Sequence, residues 1–379
     1  MKCKTVLFIL QRPIKDIKAN LIQTMNMCLG MSNNNMKVKL LLLNELSLFK
    51  AEQSLDSIIK DYNNHFEVEL IQYKPKFRYY AELNRFIALR PYIDYEYDII
   101  FTRSALITIY SIFKKKRVIY EAHNSYFAKQ KYLNRLYELI FKRIIKNKYF
   151  TLFISISDNL NNFWVNNGIL KEKALGLHDG TSLDGDDVDP EVEIPFDNNR
   201  ILITYTGSLY KDRGIDRIIN LSKDFQNFNF LIIGGPNEKA KEYQKECLEK
   251  NLQNICFIGR VSHNLVSSYL NKSDVLLALW SKSVPTINYC SPLKIFEYMA
   301  SNKLIIADGF ITIHEVLSHE KNALLCEPDD YKSLRSNLEL AISNSEKYLK
   351  LGVGNRGLIK QHYSWDNRSR VIIKRLADI

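Results

Sequence analysis

The chain of 379 residues is 46% hydrophobic and 25% charged, and it carries a formal net charge of +11. This length allows two domains with a core each, and this composition is typical of a globular protein. No two of the 6 cysteines have Cys-x-x-Cys spacing, which argues against a zinc site or a disulfide framework and favours a reducing cytoplasm.

The positive charge is concentrated in the first half of the chain. Residues 1–180 carry a net charge of +12 and residues 181–379 one of −1, and residues 101–150 alone hold 12 basic and 2 acidic side chains. A basic half predicts an anionic partner, such as membrane headgroups, nucleic acid or a phosphorylated substrate. No RNA- or DNA-reading motif is recognisable there, so nucleic acid is disfavoured.

Apolar runs alternate with helix-length segments along the chain. The first run, TVLFIL, has only about six residues, which is short for a signal peptide or a membrane span, and we interpret it as a buried strand. The further predicted strands are, in chain order, VKLLLL, YDIIFT, RVIYEA, TLFISI, ILITYTG, FNFLIIGG, NICFIG, VLLALW and KLIIAD. Strands separated by helices predict α/β domains with parallel sheets. An acidic stretch with Gly and Pro, residues 179–199, is typical of a linker between two doubly wound domains, at residues 1–180 and 200–360.

A predicted helix at residues 129–150 is strongly basic. One face carries Leu133, Leu136, Ile140 and Ile144, and another carries Lys131, Arg135, Lys142 and Lys146. Such a helix could lie on an anionic membrane surface, or it could pack on the domain core as an ordinary surface helix. The sequence leaves both interpretations open.

Two strand-to-helix corners in the second half suit an anion. In ILITYTGSLYKDRGIDRII a strand leads through Gly207 and Gly214 into a helix, and the loop holds Lys211 and Arg213, which could grip a diphosphate or simply be solvated.

The second corner is the segment SPLKIFEYMASNKLIIAD. Here Ser291 is a predicted helix N-cap and Pro292 the first helical residue, while Lys294 stands where a capping box would place Glu or Gln. A cation in the first turn opposes the helix dipole, so we predict a bound phosphate; an exposed, mildly unfavourable lysine is the alternative. Glu297 follows, a lone carboxylate among apolar neighbours.

Four ordered motifs carry a family resemblance. TGSLYKDRGIDRII, NICFIGRVSHNLVSSYLNKSDVLLALW, SPLKIFEYMASNKLIIAD and HEVLSHEKNALLCEPDD resemble the nucleotide-sugar domain of retaining GT-B glycosyltransferases of the GT4 family, glycosyl transferases group 1, of the bacterial surface-polysaccharide type. The likeness covers residues 200–335, and RVIYEAHNS and FISISDNL extend it more loosely to the first half. The resemblance implies two Rossmann-like domains facing a cleft, with the last helix, about residues 365–379, crossing back to the first domain.

The resemblance also implies roles for individual residues. Glu297 matches a glutamate that hydrogen-bonds the nucleotide ribose, Arg213 a base that contacts the donor diphosphate, and His123 a histidine near the transferred sugar. The residues implied in donor binding are Gly207, Ser208, Lys211, Arg213, Gly259, Arg260, Val261, Tyr289, Ser291, Leu293, Lys294 and Glu297. Of these, residues 259–261 match the stretch that contacts the base, and residues 293–294 match the helix start that receives the phosphate.

The chain departs from the family pattern at three places. Tyr289 replaces the first motif glutamate, and Ser208 replaces an arginine of the loop, which suggests that Lys211 supplies the missing charge. QRPIKD stands where the family often has a glycine-rich loop, so no acceptor residue is assigned there.

The implied reaction transfers a hexose from a nucleotide-sugar to a saccharide with retention of configuration. UDP is favoured over GDP as the nucleotide. No metal or cofactor is required if Arg213, Lys211 or Lys294 stabilise the departing phosphate. No pair resembling a metal-binding Asp-x-Asp motif stands in a persuasive setting: Asp184 and Asp186 lie in the predicted linker, and residues 329–330 lie in a late loop. The basic first half suggests a lipid-linked acceptor at the inner face of the cytoplasmic membrane, in lipopolysaccharide or capsule assembly.

Other functions remain open at this point. A nucleotide-sugar 2-epimerase shares the architecture and would need carboxylates such as Glu121. A non-catalytic sugar-nucleotide-binding protein would explain the departures at Tyr289 and Ser208.

Two further classes are weakly supported. Residues 291–294 and 157–159 give S-x-x-K and S-D-N, but in reversed order and without the K-T-G of serine acyl hydrolases. Residues 234–236 offer only Gly-Gly-Pro, where a dehydrogenase would need G-x-G-x-x-G.

Overall fold

The structure is a computed structural model that describes residues 4–11, 13, 19–45, 59–60, 62–74, 81–183, 192–196 and 199–378. The chain forms two compact units. The first comprises Met1–Asp179, Tyr289–Ser291 and Ser364–Ile379, and the second comprises Gly180–Asn288 and Pro292–Tyr363. Most of the predicted linker, including Asp184 and Asp186, lies outside the described residues.

The first unit is built on a seven-stranded parallel sheet in the order β3-β2-β1-β4-β5-β6-β7. Its strands are β1 Thr5–Leu10, β2 Lys37–Glu45, β3 Glu67–Tyr73, β4 Ile99–Thr102, β5 Val118–Ala122, β6 Phe150–Ser155 and β7 Ala174–Gly176. Its helices up to this point are α1 Ala19–Asn33, α2 Ala81–Ile93, α3 Ala105–Phe113, α4 Lys131–Ile144 and α5 Asp158–Asn166. The strands β4, β5 and β6 are buried at every residue, as expected for parallel strands covered by helices on both faces.

The second unit repeats this plan on a six-stranded parallel sheet in the order β10-β9-β8-β11-β12-β13. Its strands are β8 Leu202–Ser208, β9 Asn229–Gly235, β10 Ile255–Gly259, β11 Val275–Ala278, β12 Leu304–Asp308 and β13 Leu324–Cys326. Its α-helices are α6 Ile215–Asp224, α7 Asn237–Glu249, α8 His263–Lys272, α9 Leu293–Ala300, α10 Ile311–His314, α11 Tyr331–Ser343, α12 Ser345–Tyr348 and α13 Asn355–Leu358.

The prediction of two doubly wound α/β domains is confirmed. In each sheet the first strand lies between the second and the fourth, so the crossover direction reverses beside β1 and beside β8. Ligands of such sheets bind at the carboxyl ends of the strands flanking this reversal. The functional site of the second unit is therefore expected where β8, β9 and β11 end.

The last helix, α14 Trp365–Ala377, packs against α1 in the first unit. The two backbones approach closely at Gly30, where an added Cβ atom would lie 2.5 Å from the carbonyl oxygen of Trp365. Only glycine permits this approach. Arg368, in the middle of α14, is 1% exposed, so the helix carries a charged side chain into the interior of the unit.

Helix α4 contacts the core through Tyr137 and Phe141, which are buried. Of the apolar residues predicted to share one face of this helix, Leu133 and Ile144 pack on the core, whereas Leu136 is 52% exposed. Among the described residues, no helix is both long enough and apolar enough to span a membrane.

Candidate functional site

The carboxyl end of β8 is an open backbone corner. Gly207 and Gly234 pair across β8 and β9 with φ of +141° and +152°, and a Cβ atom on Gly234 would lie 1.6 Å from the Gly207 carbonyl oxygen. After Ser208 a single 3-10 turn, Lys211–Arg213, leads to Gly214, whose left-handed φ of +70° starts α6. The backbone conformation thus requires glycine at Gly207 and Gly214. Because these residues have no side chains, they leave room beside the loop for a ligand.

Lys294, in the first turn of α9, points to this corner. Its Nζ atom would lie 2.9 Å from a Cβ atom added to Gly207. The ammonium stands 4.0 Å from the ring centre of Tyr205 and 5.1 Å from that of Trp280. It is buried and has no hydrogen-bond partner within the described part of the chain. The alternative of an exposed lysine is therefore wrong.

Burial and, second, the positive charge of Arg213 lower the pKa of Lys294 to about 7, while Glu297 and Asp308 act in the opposite direction. A buried cation without a carboxylate partner is costly, and two aromatic faces compensate for only part of that cost. A bound anion would pair with the ammonium of Lys294 and so offset the rest of the cost.

Arg213 lies close enough to Lys294 to act on its charge. Its Nε atom is buried without a hydrogen bond among the described residues and stands 3.6 Å from the carboxylate of Asp212. Lys211, at the start of the turn, is exposed. The hydroxyl of Tyr205 donates to the carbonyl oxygen of Ser208 at 2.9 Å and so fixes the end of β8.

Glu297 lies one turn after Lys294 on α9. One of its carboxylate oxygens is 3.3 Å from Nε2 of His263, the first residue of α8. This hydrogen bond raises the pKa of His263. Sequence reasoning missed His263, although it stands within the recognised motif GRVSHNL, shortly after the end of β10 and at the start of α8.

The base-binding stretch predicted at residues 259–261 ends β10 and enters α8. Gly259 has a φ of +78°, and the backbone N–H of Arg260 donates to the side chain of Asn237 at 2.9 Å. Val261 packs on a small apolar cluster with Leu202. The backbone of this stretch is thus held by the hydrogen bond to Asn237 and by the packing of Val261.

The prediction that Ser291 caps α9 is wrong. The cap position is Pro292, whose side chain makes no capping hydrogen bond. Ser291 packs in the first unit, where its Oγ accepts from the backbone N–H of Asp179 at 2.9 Å. Because no side chain caps the helix, the first N–H groups of α9, at Leu293 and Lys294, remain available to an anion.

Tyr289 also belongs to the first unit. Its ring lies 5.5 Å from that of Phe163, and its carbonyl oxygen accepts from Ser157. Ser157 itself caps α5. The two motif serines of the acyl-hydrolase alternative are therefore engaged with backbone groups.

A buried ion pair between Arg217 and Asp308 supports the backbone near Lys294. Arg217 donates to both carboxylate oxygens of Asp308, at 2.8 and 2.6 Å, and to the carbonyl oxygen of Trp280 at 3.0 Å. The backbone N–H of Trp280 donates to Asp308 in turn at 2.7 Å. This network fixes the residue whose ring faces Lys294.

In the first unit, His123 follows β5 and its Nε2 lies 2.9 Å from Glu121. Burial alone would raise the pKa of Glu121, but Arg103, Arg368 and His123 hold it well below its ordinary value. Burial, with Arg103, lowers the pKa of His123, which favours a neutral imidazole. The two arginines thus favour the ionised form of Glu121, which makes it a poor proton donor for the acid/base work that the epimerase alternative requires.

Comparison with known protein families gives a match in the second half of the chain. Residues 190–357 match the family model described as Glycosyl transferases group 1. An uncharacterized glycosyltransferase of Methanocaldococcus jannaschii is 26% identical over 237 residues, and the match covers 60% of this chain and 62% of that protein, less than two thirds of its length.

Solved structures show the same fold. Anabaena HepE in complex with UDP-glucose is similar with a TM-score of 0.73 at 15% identity, over 99% of this chain and 100% of that one. WaaG, a glycosyltransferase involved in lipopolysaccharide biosynthesis, has a TM-score of 0.65 at 14% identity, over 97% and 99% of the two chains. The chain therefore has the GT-B fold of two Rossmann-like domains, and its residues 190–357 are similar to the glycosyl transferases group 1 family.

Proposed function

We propose that the protein is a glycosyltransferase that moves a sugar from a nucleotide-sugar to a saccharide acceptor with retention of configuration. The observation that carries the proposal is Lys294, a buried ammonium at the carboxyl end of β8 that no described residue hydrogen-bonds, beside a helix start without a side-chain cap. The diphosphate of the donor is the anion that this corner accommodates. The UDP-glucose complex of Anabaena HepE supports a UDP-sugar as the donor.

In the proposed reaction the second unit stabilises the leaving diphosphate. As the sugar–phosphate bond breaks, negative charge grows on the phosphate, and Lys294, Arg213 and the N–H groups that begin α9 stabilise it in the transition state. These groups are fixed before the substrate arrives, so little reorganisation is needed. Lys211, exposed on the same turn, serves as a further cation, and no metal or cofactor is needed in this scheme.

Glu297 is proposed to bind the nucleotide ribose through its carboxylate. Its hydrogen bond with His263 orients that carboxylate, because the two side chains are 22% and 52% exposed and meet at 3.3 Å. The backbone of residues 259–261 is proposed to contact the base, and His123 of the first unit a hydroxyl of the saccharide.

A screen of nucleotide-sugars tests the activity. We expect UDP-sugars to raise the melting temperature of the protein more than GDP-, ADP- or CMP-sugars, since a ligand that binds only the folded state stabilises it. The selected donor is then incubated with saccharide acceptors, and transfer is measured by mass spectrometry. Binding without transfer or hydrolysis would favour the non-catalytic alternative.

Replacing Glu297 by Ala should weaken nucleotide binding by about 1–3 kcal/mol, because a hydrogen bond to a charged group is lost. Isothermal calorimetry with UDP measures this change. His263→Ala is the matched comparison: it removes the neighbour and retains the carboxylate, so its effect should be smaller. Equal UDP affinity of Glu297→Ala and the wild type would exclude Glu297 from the ribose site.

The outward face of α4 supports a membrane-bound acceptor. Tyr132, Leu136 and Leu139 are 92%, 52% and 56% exposed, and the exposed cations Arg135 and Arg143 stand among them on the same face. Apolar side chains mixed with cations are the pattern of a helix that lies in the headgroup region of an acidic bilayer.

A second helix adds to this surface. Phe113, which is 78% exposed, ends α3, and α3 contacts α4. The three lysines of residues 114–116 follow it directly. We therefore propose that the first unit binds the inner face of the cytoplasmic membrane peripherally and receives a lipid-linked saccharide, in surface-polysaccharide assembly.

At low salt the protein should co-sediment with vesicles that contain acidic lipid and much less with neutral vesicles. The double variant Leu136→Ser/Leu139→Ser should bind the acidic vesicles at least about 10-fold more weakly, since two apolar side chains no longer enter the bilayer. Leu248→Ser is the control, because Leu248 is 59% exposed on α7 of the second unit. If neutral and acidic vesicles sediment the protein equally little, the membrane proposal is wrong.

A further inference from the structure

One buried carboxylate in the first unit holds both His123 and the last helix. Glu121 on β5 is fully buried. One of its oxygens accepts from Nε of Arg103 at 2.7 Å and lies 2.9 Å from Nε2 of His123. The other oxygen accepts from Nη2 of Arg368 at 3.0 Å. The carboxylate is thus held from three directions.

Arg368 reaches Glu121 from helix α14. Its Nε donates to the carbonyl oxygen of His178 at 2.8 Å, and its Nη2 also donates to that of Leu177 at 3.1 Å. The guanidinium therefore bridges the segment after β7 and the carboxylate on β5. On the other side, Arg103 donates to the side chain of Gln23, so each arginine is itself fixed.

This arrangement determines which nitrogen of His123 is free. A carboxylate that stays ionised accepts a hydrogen bond, so Nε2 must carry the proton and donate it to Glu121. Nδ1 then presents a lone pair, and no described residue hydrogen-bonds to it. The His123 side chain is 26% exposed. Because one ring nitrogen faces the buried carboxylate, the other can accept a hydrogen bond from a donor at the surface.

We propose that Glu121 and Arg368 are positioning residues that fix His123 as the Nε2–H tautomer, so that Nδ1 accepts a hydrogen bond from a hydroxyl of the saccharide. This inference rests on the proposed glycosyl transfer for its catalytic consequence. The C-terminal helix thereby contributes to the site through Arg368, without touching the substrate.

Nuclear magnetic resonance of the full-length protein labelled with 15N-histidine tests the tautomer directly, and it needs no substrate. We assign the His123 resonance by its loss in His123→Gln. In the wild type, near pH 7, Nε2 should carry the proton and Nδ1 should not. In Glu121→Gln the neighbouring amide can donate as well as accept, so both tautomers should be populated. A wild-type imidazole protonated at Nδ1 would overturn the proposal.

Kinetics test the consequence for transfer. Arg368→Met and Glu121→Gln should each lower kcat by about 10- to 100-fold, as misplaced or wrongly protonated groups do, and should leave the affinity for UDP unchanged, because the nucleotide is bound by the second unit. Arg368→Lys keeps the charge but not the fork of donors, so its kcat should lie between those of Arg368→Met and the wild type.

Arg370→Met is the matched control, since Arg370 is an exposed arginine of the same helix, and its kcat should equal that of the wild type. A wild-type kcat in Glu121→Gln would contradict the inference, whereas absence of transfer by the wild type would contradict the proposed function instead. Should Arg368→Met fail to fold, the isosteric Glu121→Gln and the wild-type spectrum decide.

Discussion

Replacing Lys294 by Met should make the empty protein more stable and its nucleotide binding weaker. Losing a buried cation that pairs with the donor diphosphate should cost about 2–5 kcal/mol of UDP affinity. In the absence of ligand the same ammonium lies over two aromatic rings and has no hydrogen-bond partner among the described residues, so an apolar side chain of similar length should raise the free energy of unfolding by about 1–4 kcal/mol. A residue that serves only the fold would not show these opposite effects.

The pH dependence of stability provides an independent check. The pKa of Lys294 is lowered from 10.5 in the unfolded chain to about 7 in the folded protein by burial and by Arg213. Between these two values the unfolded chain binds more protons, so this residue makes the folded state more stable as the pH rises from about 7 to 10.5. Lys294→Met should lose this increase, which urea unfolding at several pH values measures.

Binding of UDP should be linked to proton uptake for the same reason. An anion favours the charged form of Lys294, so at pH 8 the lysine should gain a proton when the nucleotide binds, and affinity should decline as the pH rises further. Calorimetry in two buffers with different ionisation enthalpies reveals this proton. Arg260→Met, in the base-binding stretch, is the control and should retain the uptake. If Lys294→Met binds UDP as tightly as the wild type, the diphosphate lies elsewhere.

The strands that sequence reasoning identified are those buried on both faces. TVLFIL, RVIYEA and KLIIAD are mostly apolar because helices cover both sides of a parallel sheet. The three strands that it missed lack this signal. β3, EVELIQY, alternates polar and apolar residues at the sheet edge, and β7 and β13 have 3 residues each.

The site was predictable in its residue types more than in its contacts. The conflict between Lys294 and the dipole of α9 indicated an anion, and the structure places Lys294 beside Gly207, as two corners of one parallel sheet require. Ser291 could not be predicted, since its hydroxyl bonds to Asp179, 112 residues earlier in the chain. Helix-capping preferences describe local hydrogen bonds, and a tertiary partner overrides them.

Glu121 illustrates the same limit for function. In the sequence it is one carboxylate beside a histidine, and it could be an acid, a base or a structural residue. Its role follows from Arg368, 247 residues later, which no local pattern connects to β5. The last helix brings a second arginine to a carboxylate that already has one, and the two positive charges together favour its ionised form.

Replacing Asp308 by Ala should have the largest effect on stability, about 3–5 kcal/mol, because it leaves Arg217 buried without its carboxylate. The substitution should also affect the anion site. Asp308 accepts a hydrogen bond from the backbone N–H of Trp280, so the Trp280 ring beside Lys294 should lose its fixed position and UDP binding should weaken as well. Urea unfolding and calorimetry measure the two effects.

Glu327→Ala is the matched control for Asp308→Ala, since the ion pair of Glu327 with Lys282 is 65% and 58% exposed and exposed pairs contribute little. If Asp308→Ala were no more destabilising than Glu327→Ala, the buried pair would not support the second unit. If it destabilised the fold but left UDP affinity unchanged, Trp280 would not depend on Asp308 for its position. The expected loss of both makes Asp308 the residue through which the core of the second unit fixes the geometry of its anion site.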